Sequence, residues 1–178
     1  MSTYRLIAAE ASYYSGKVRA YLRYKGIPFE ELLATRKLYQ ELPVFQGGVR
    51  SIPVLLTPEG EALTDSTDII DFCEVRFPEP SVWPTAPLQR LVALFFEIYA
   101  DEWLLLPAMH YRWSYREENY DFVVREFGAT LLPDAPADEQ RQAGEKAAAV
   151  FDPVPRCSGS PLAPRRRSRR GTRNSSTR

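Results

Sequence analysis

Cysteine and histidine are nearly absent. Two cysteines, Cys73 and Cys157, and one histidine, His110, are spread over 178 residues. No metal-ligand spacing can be drawn from them, and two distant thiols make no disulfide framework, which fits a reducing compartment. Long apolar runs are missing too: the longest, Leu91 to Phe96, falls far short of the ~20 residues a membrane-spanning helix needs. The first residues carry no basic stretch followed by an apolar core, so no secretory leader is expected, and a soluble, cytoplasmic protein is the expectation.

Net charge is also lacking, but its zero value hides an imbalance. Of 23 basic and 23 acidic side chains, eight arginines and one acid, Asp152, fall in residues 151–178. The remaining 15 basic and 22 acidic groups give residues 1–150 a net charge of −7. Residues 151–178 are rich in Pro, Ser, Gly and Arg and nearly free of apolar side chains. Such a segment buries too little surface to offset its ordering entropy, so disorder is expected there. Its arginine run lacks interleaved aromatics and any nucleic-acid fold, so no specific nucleic acid and no membrane is expected as a partner.

What is present is a body of two parts. The 44% hydrophobic content suffices for one compact domain or two small ones, and 15 prolines argue against a pure helical bundle. The segment YRLIAA, Tyr4 to Ala9, reads as a buried strand. GKVRAYLRYKG reads as a helix with Val18, Leu22 and Lys25 grouped along it and Gly26 suited to the position just past its end. IPFEELLA, Ile27 to Ala34, gives a second strand, and residues 36–48 read as irregular with one short helix. In SIPVLLTPEGEALTD, strands Ile52–Leu56 and Ala62–Thr64 flank a turn at Thr57-Pro58-Glu59-Gly60. Asp65 or Ser66 then caps a helix whose apolar positions are Ile69, Phe72, Cys73 and Phe77. The order β-α-β, a short α segment and β-β-α predicts an α/β thioredoxin-like domain, a mixed four-stranded sheet with helices on both faces.

The Pro-rich stretch Phe77–Pro87 reads as a connection. Helical patterns follow at Leu88 to about Arg112, Glu117–Phe127 and Ala137–Val150. The expected division is a thioredoxin-like domain at 1–80, a linker at 81–87, a partial all-α domain at 88–150 and a basic tail at 151–178.

The segment SYYSGKVR, Ser12 to Arg19, lies where the first strand hands over to the first helix. A hydroxyl there stands among backbone N–H groups without helical partners, at the positive end of a helix dipole, a place to hold an anion such as a thiolate. Together with RSIPVLLTPEGEALTDSTDIIDF and the helical stretch after the connection, this segment resembles the cytosolic glutathione S-transferases over roughly residues 4–150. The resemblance implies that Ser12 is the catalytic serine of a serine-type member, donating to the glutathione sulfur and favouring the thiolate. Ser12 alone can equally be only a helix cap, and Tyr13, Tyr14 or Ser15 can supply the contact instead.

The resemblance further implies a cis Ile52–Pro53 bond that turns the Ile52 backbone toward the cysteinyl part of glutathione. It implies that Asp65 and Ser66 hold the γ-glutamyl end, Ser66 and nearby N–H groups taking the carboxylate and Asp65 the ammonium. Plain capping by both residues is compatible with this. Lys37, Tyr39 and Arg50 are candidates for the glycine carboxylate. Aromatics at Tyr99, Trp103, Tyr111 and Trp113 either shape the electrophile pocket or form core, and His110 reads as structural.

A cysteine at position 12 would permit mixed disulfides; its absence argues against glutaredoxin-like or dehydroascorbate reductase chemistry. The implied activity is transfer of glutathione to small electrophiles, or its use as cofactor in isomerisation or dehalogenation, in a homodimer without metal. The alternative is a non-catalytic thioredoxin-like binding protein or a truncated pseudoenzyme.

Family members continue with further helices where this chain changes composition. A frameshift near Val150 is therefore expected, with the basic tail out of frame. Translating the other two frames past that codon should yield an apolar, helix-patterned continuation. Finding none would sink the idea.

Overall fold

An unbroken apolar run makes the central strand. In β1 (Tyr4–Ala8), Leu6, Ile7 and Ala8 are wholly buried, because both faces of the strand are covered. The computed structural model describes residues 3–46 and 51–151; Arg50, Cys157 and the tail from residue 152 lie outside the described residues. β1 pairs in parallel with β2 (Phe29–Leu33) and antiparallel with β3 (Val54–Leu56), which pairs antiparallel with β4 (Ala62–Thr64). The sheet order is β2-β1-β3-β4.

The crossover from β1 to β2 is α1 (Tyr13–Tyr24). It stops where the sequence predicts: Gly26 takes φ +65, its N–H donates to Arg23 O, and Ile27 N–H reaches back to Leu22 O. This is the Schellman closure, in which a left-handed residue just past the helix is best supplied by glycine. On one face of the sheet, Leu6 and Leu55 pack with Val18 and Leu22 of α1 and Ile69 and Cys73 of α4 (Ser66–Arg76). On the other, Ile7, Val54 and Leu56 pack beneath Phe45, with Tyr39 and Leu38 alongside. The fold is thus the expected thioredoxin-like α/β arrangement, with helices on both faces of a mixed sheet.

Residues 36–46 differ from the single short helix expected. They form α2 (Arg36–Glu41), capped by Thr35 Oγ1, and α3 (Pro43–Gln46). Pro43 has no N–H to extend α2 and suits the first position of a new helix, so the segment divides there.

A buried ionic cluster ties the connection at 77–87 to the sheet domain. Lys25, with its side chain fully enclosed, meets Glu74 at 2.9 Å and donates to Pro80 O at 2.7 Å. Glu74 also accepts from the Tyr21 hydroxyl at 2.7 Å, the Ser81 hydroxyl at 2.9 Å and Val82 N–H at 3.2 Å. Every buried polar group of the cluster therefore has a partner, the condition under which a buried charge is tolerated.

The helical region comprises α5 (Pro87–Ile98), a π-helical turn (Tyr99–Trp103), α6 (Leu105–Ser114), α7 (Arg116–Leu131) and α8 (Ala137–Phe151). The sequence predicts one helix from Leu88 to about Arg112; the π turn divides it. α7 and α8 approach so closely that a Cβ on Gly144 would stand 2.0 Å from Val124 O, and one on Gly128 2.1 Å from Gln140 O. Trp113, Val123, Val124 and Ala148 form the core there. On α5, by contrast, no side chain is buried, and Leu91, Phe95 and Phe96 are 63%, 66% and 61% exposed. Among the described residues no helix is long and apolar enough to cross a membrane.

Burial opposes ionisation of Glu74, but the bonds from Lys25, Tyr21, Ser81 and Val82 outweigh it and hold its carboxyl below the ordinary value of 4.5. A depressed carboxyl adds stability that is present above the unfolded value and is lost as pH falls through the folded one. Glu74→Gln, which leaves Lys25 buried and unpaired, should cost about 3–5 kcal/mol in urea unfolding at pH 7. The variant should also show a flatter loss of stability below pH 4.5 than the native protein.

Candidate functional site

The chain leaves β1, turns at Ala9–Ala11 and enters α1 through Ser12. Ser12 has the extended backbone of a cap, φ −86 and ψ 122, and its Oγ accepts from Ser15 N–H at 3.2 Å. The capping reading therefore holds. Capping uses an oxygen lone pair, however, and the half-buried hydroxyl keeps its hydrogen, for which no acceptor stands among the described residues.

Of the three competing hydroxyls, both phenols donate elsewhere and Ser15 is enclosed, its Oγ only accepting. Ser15 is wholly buried and its Oγ faces Ala9 N–H at 3.5 Å. The Tyr13 hydroxyl donates to Ala100 O at 3.1 Å and the Tyr14 hydroxyl to Asp101 O at 2.8 Å. Both acceptors belong to the π turn, whose wider winding diverts carbonyls from the ordinary helical ladder. Burial, then the charges of Asp101 and Glu102, push the Tyr14 phenol up, so it stays protonated. Tyr4 is buried in the core, as its strand position predicts.

The sheet register gathers the remaining candidates at the same end. Ile7 lies opposite Val54, and continuing that antiparallel pairing by two residues sets Ile52 opposite Ala9, just ahead of Ser12. Val54 lies opposite Thr64, which brings Asp65 and Ser66 beside Pro53 and Ile52. The Ile52–Pro53 peptide is cis. Ile52 makes no backbone hydrogen bond to any other described residue.

Asp65 has φ +71 and ψ 131, a setting that costs a non-glycine residue about 1–3 kcal/mol and persists where its surroundings over-determine it. One determinant is visible: Asp65 Oδ1 accepts from Thr67 N–H at 2.8 Å and caps α4. Ser66 is the buried first residue of that helix. Two helix N-termini, with their unpaired N–H groups and positive dipole ends, thus open toward one end of the sheet.

Two basic residues that the sequence reading did not single out organise this end. Lys17 Nζ bonds Asp101 Oδ2 at 2.7 Å, Glu97 Oε1 at 3.2 Å and Thr67 Oγ1 at 3.2 Å. Burial pulls the Lys17 ammonium down, but the bonds to Asp101 and Glu97 more than reverse it, so the group stays charged. A signal for it was present: Glu97 and Asp101 are acids four residues apart in a largely apolar stretch. Arg112 on α6 donates to Ala11 O at 2.6 Å, placing α6 beside the turn that leads to Ser12.

The glycine-carboxylate candidates fare less well. Lys37 is exposed and 3.9 Å from Glu41, and the Tyr39 ring packs 4.5 Å from Phe45. Of the aromatics, Trp113 is core, stacked on Phe151 at 6.0 Å, while Trp103 and Tyr111 are exposed. His110 Nδ1 hydrogen-bonds the Ser114 hydroxyl at 2.8 Å, a structural role.

Residues 6–81 match the family model of the glutathione S-transferase N-terminal domain. A probable glutathione S-transferase of rice, Oryza sativa subsp. japonica, is 30% identical over 104 residues, covering 55% of this chain and 44% of the rice protein. The crystal structure of a glutathione S-transferase from Methylobacterium radiotolerans, in complex with glutathione sulfonate, is similar at a TM-score of 0.51 and 26% identity, covering 83% of this chain and 65% of that one. A β-etherase from Sphingobium sp. strain SYK-6 shares the fold at a TM-score of 0.52 and 22% identity, covering 83% and 63%. The chain therefore spans less than half the length of the curated relative and just under two thirds of these solved ones.

From the sheet domain, Lys17 is the main polar tie to α5 and the π turn. Lys17→Met should lower stability by about 2–4 kcal/mol in urea unfolding, since it leaves two half-buried acids facing each other. Adding Glu97→Gln and Asp101→Asn should recover part of the loss. A change below about 0.5 kcal/mol would show that the contact contributes nothing.

Proposed function

We propose that the protein is a serine-type glutathione transferase, which binds glutathione where α1 and α4 begin and delivers its thiolate to small electrophiles. Use of glutathione as cofactor in isomerisation or dehalogenation belongs to the same reading. The observation that carries it is the Ser12 hydroxyl at the N-terminus of a helix, half-exposed and with its hydrogen uncommitted, whereas Ser15 is wholly buried and both phenols donate to the π turn. Donation from Ser12 to sulfur favours thiolate over thiol; the thiolate then forms a bond to the electrophilic carbon as the leaving group departs with its electron pair.

The Ile52 amide edge pairs with the cysteinyl residue of glutathione. Ser66 and the N–H groups at the start of α4 take the γ-glutamyl carboxylate, and the second oxygen of Asp65 faces the ammonium. The glutathione sulfonate held by the Methylobacterium relative, on the same fold, supports this ligand. The division into a glutathione-binding domain at 1–80, a linker at 81–87 and an α-helical part at 88–150, and a cytoplasmic homodimer, complete the proposal. A second reading, a binding protein or pseudoenzyme without turnover, is favoured by the open apolar side of α5, which leaves part of the helical region uncovered.

Calorimetric titration with glutathione, and conjugation to 1-chloro-2,4-dinitrobenzene, test the two readings. Ser12→Ala should leave the glutathione Kd within a few-fold and reduce kcat/KM by about 10²-fold. Undetectable glutathione binding would remove the reading. Binding without turnover, indifferent to Ser12→Ala, would favour the second.

A further inference from the structure

Arg112 is drawn in from solvent on α6, yet no carboxylate among the described residues stands within ion-pair distance of it. Other cations withdrawn to this degree are neutralised: Lys17 by Glu97 and Asp101, Arg19 by Glu10 and Glu31, Lys25 by Glu74. The guanidinium of Arg112 instead donates to Ala11 O at 2.6 Å, the carbonyl immediately before Ser12. One of its five N–H groups is so used, and a guanidinium does not deprotonate in proteins. A positive charge partly stripped of water with no counter-charge is an unfavourable arrangement that an arriving anion relieves.

We infer that Arg112 is a positioning and charge-supplying residue for the thiolate: it fixes the Ala11 carbonyl, and so the Ser12 cap, and its uncompensated charge stabilises the anion formed beside Ser12. The inference rests on the glutathione reading above and deepens it. Burial alone acts on the Arg112 charge, and no acid offsets that. Most of the remaining charged groups near this end of α1 are engaged; the exception is Glu102 in the π turn, whose negative charge acts on the Tyr14 phenol. Lys17 is held by its two acids, and Glu10 faces Arg19. Across the cleft Asp65 caps Thr67. On α6 the His110 ring bonds Ser114, and the Tyr13 and Tyr14 phenols donate to carbonyls of the π turn. Arg112 is thus the cation near the start of α1 that the packing leaves without an acid among the described residues.

The test is the thiol titration of bound glutathione, followed by thiolate ultraviolet absorbance against pH, in the native protein, Arg112→Gln and Arg112→Lys. Arg112→Gln should raise the bound thiol pKa by about one unit, a roughly tenfold loss of thiolate at pH values below it. Arg112→Lys, which keeps the charge, should titrate near the native value even if it binds glutathione more weakly. Arg112→Met, which keeps the apolar stem, replaces the glutamine variant if circular dichroism shows that the latter is unfolded. Equal titrations in all folded variants, with glutathione still bound, would assign Arg112 a structural role and overturn the inference while leaving the function reading intact. Failure of the native protein to bind glutathione would overturn both.

Discussion

One ammonium group joins the two parts of this molecule. Lys17 leaves the first turns of α1 and, within 3.2 Å, reaches Thr67 at the start of α4, Glu97 near the end of α5 and Asp101 in the π turn. A lysine offers three donors and no acceptor, and here all three are taken. The Tyr13 and Tyr14 hydroxyls add two bonds to the π turn from the same end of α1, and Arg112 returns one from α6 to Ala11. The apolar contribution to this junction is small, because the side chains of α5 are not buried against anything. Polar bonds therefore set the angle at which the helical region meets the sheet domain, and they do so next to Ser12.

That dependence explains why some of the structure could be read from the sequence and some could not. The sheet domain was legible because its signals are local: a continuous apolar strand at Leu6–Ala8, helical spacing of Val18 and Leu22, and a glycine at 26 with the positive φ the helix stop demands. Asp65 as a cap was legible for the same reason. The junction was not, because Lys17 and Glu97 are 80 residues apart, and the acids at Glu97 and Asp101 signal a buried cation without saying which one. The division at Pro43 is a local signal that the reading of one short helix passed over. The π turn is different: it is held by phenols from α1, so its cause lies outside its own segment.

At the candidate site the sequence left four hydroxyls open, and packing separates them. Ser15 is wholly buried beside the Ala9 amide, and the two tyrosines reach across to the π turn. Ser12 remains, and its capping bond does not compete with donation, since the cap takes a lone pair and a sulfur partner would take the hydrogen. The choice between cap and functional hydroxyl was thus a false one for this residue. The same holds for Asp65, where one carboxylate oxygen is spent on Thr67 and the other is not.

The distribution of charge carries the last step. Residues 1–150 bear seven more acids than bases, an unpromising body for an anion such as a thiolate or a γ-glutamyl carboxylate. Local geometry reverses that sign at one end of the sheet. The starts of α1 and α4 present unpaired N–H groups there, each equivalent to about half a positive charge, and the effect fades within the first turn. Four of the acids that could cancel this field, Glu97, Asp101, Glu10 and Glu31, are paired with Lys17 and Arg19, whereas Arg112 is left without an acid. The local field thus depends on which charges are neutralised and which are not. Net charge, the most accessible number in the sequence, has no bearing on it.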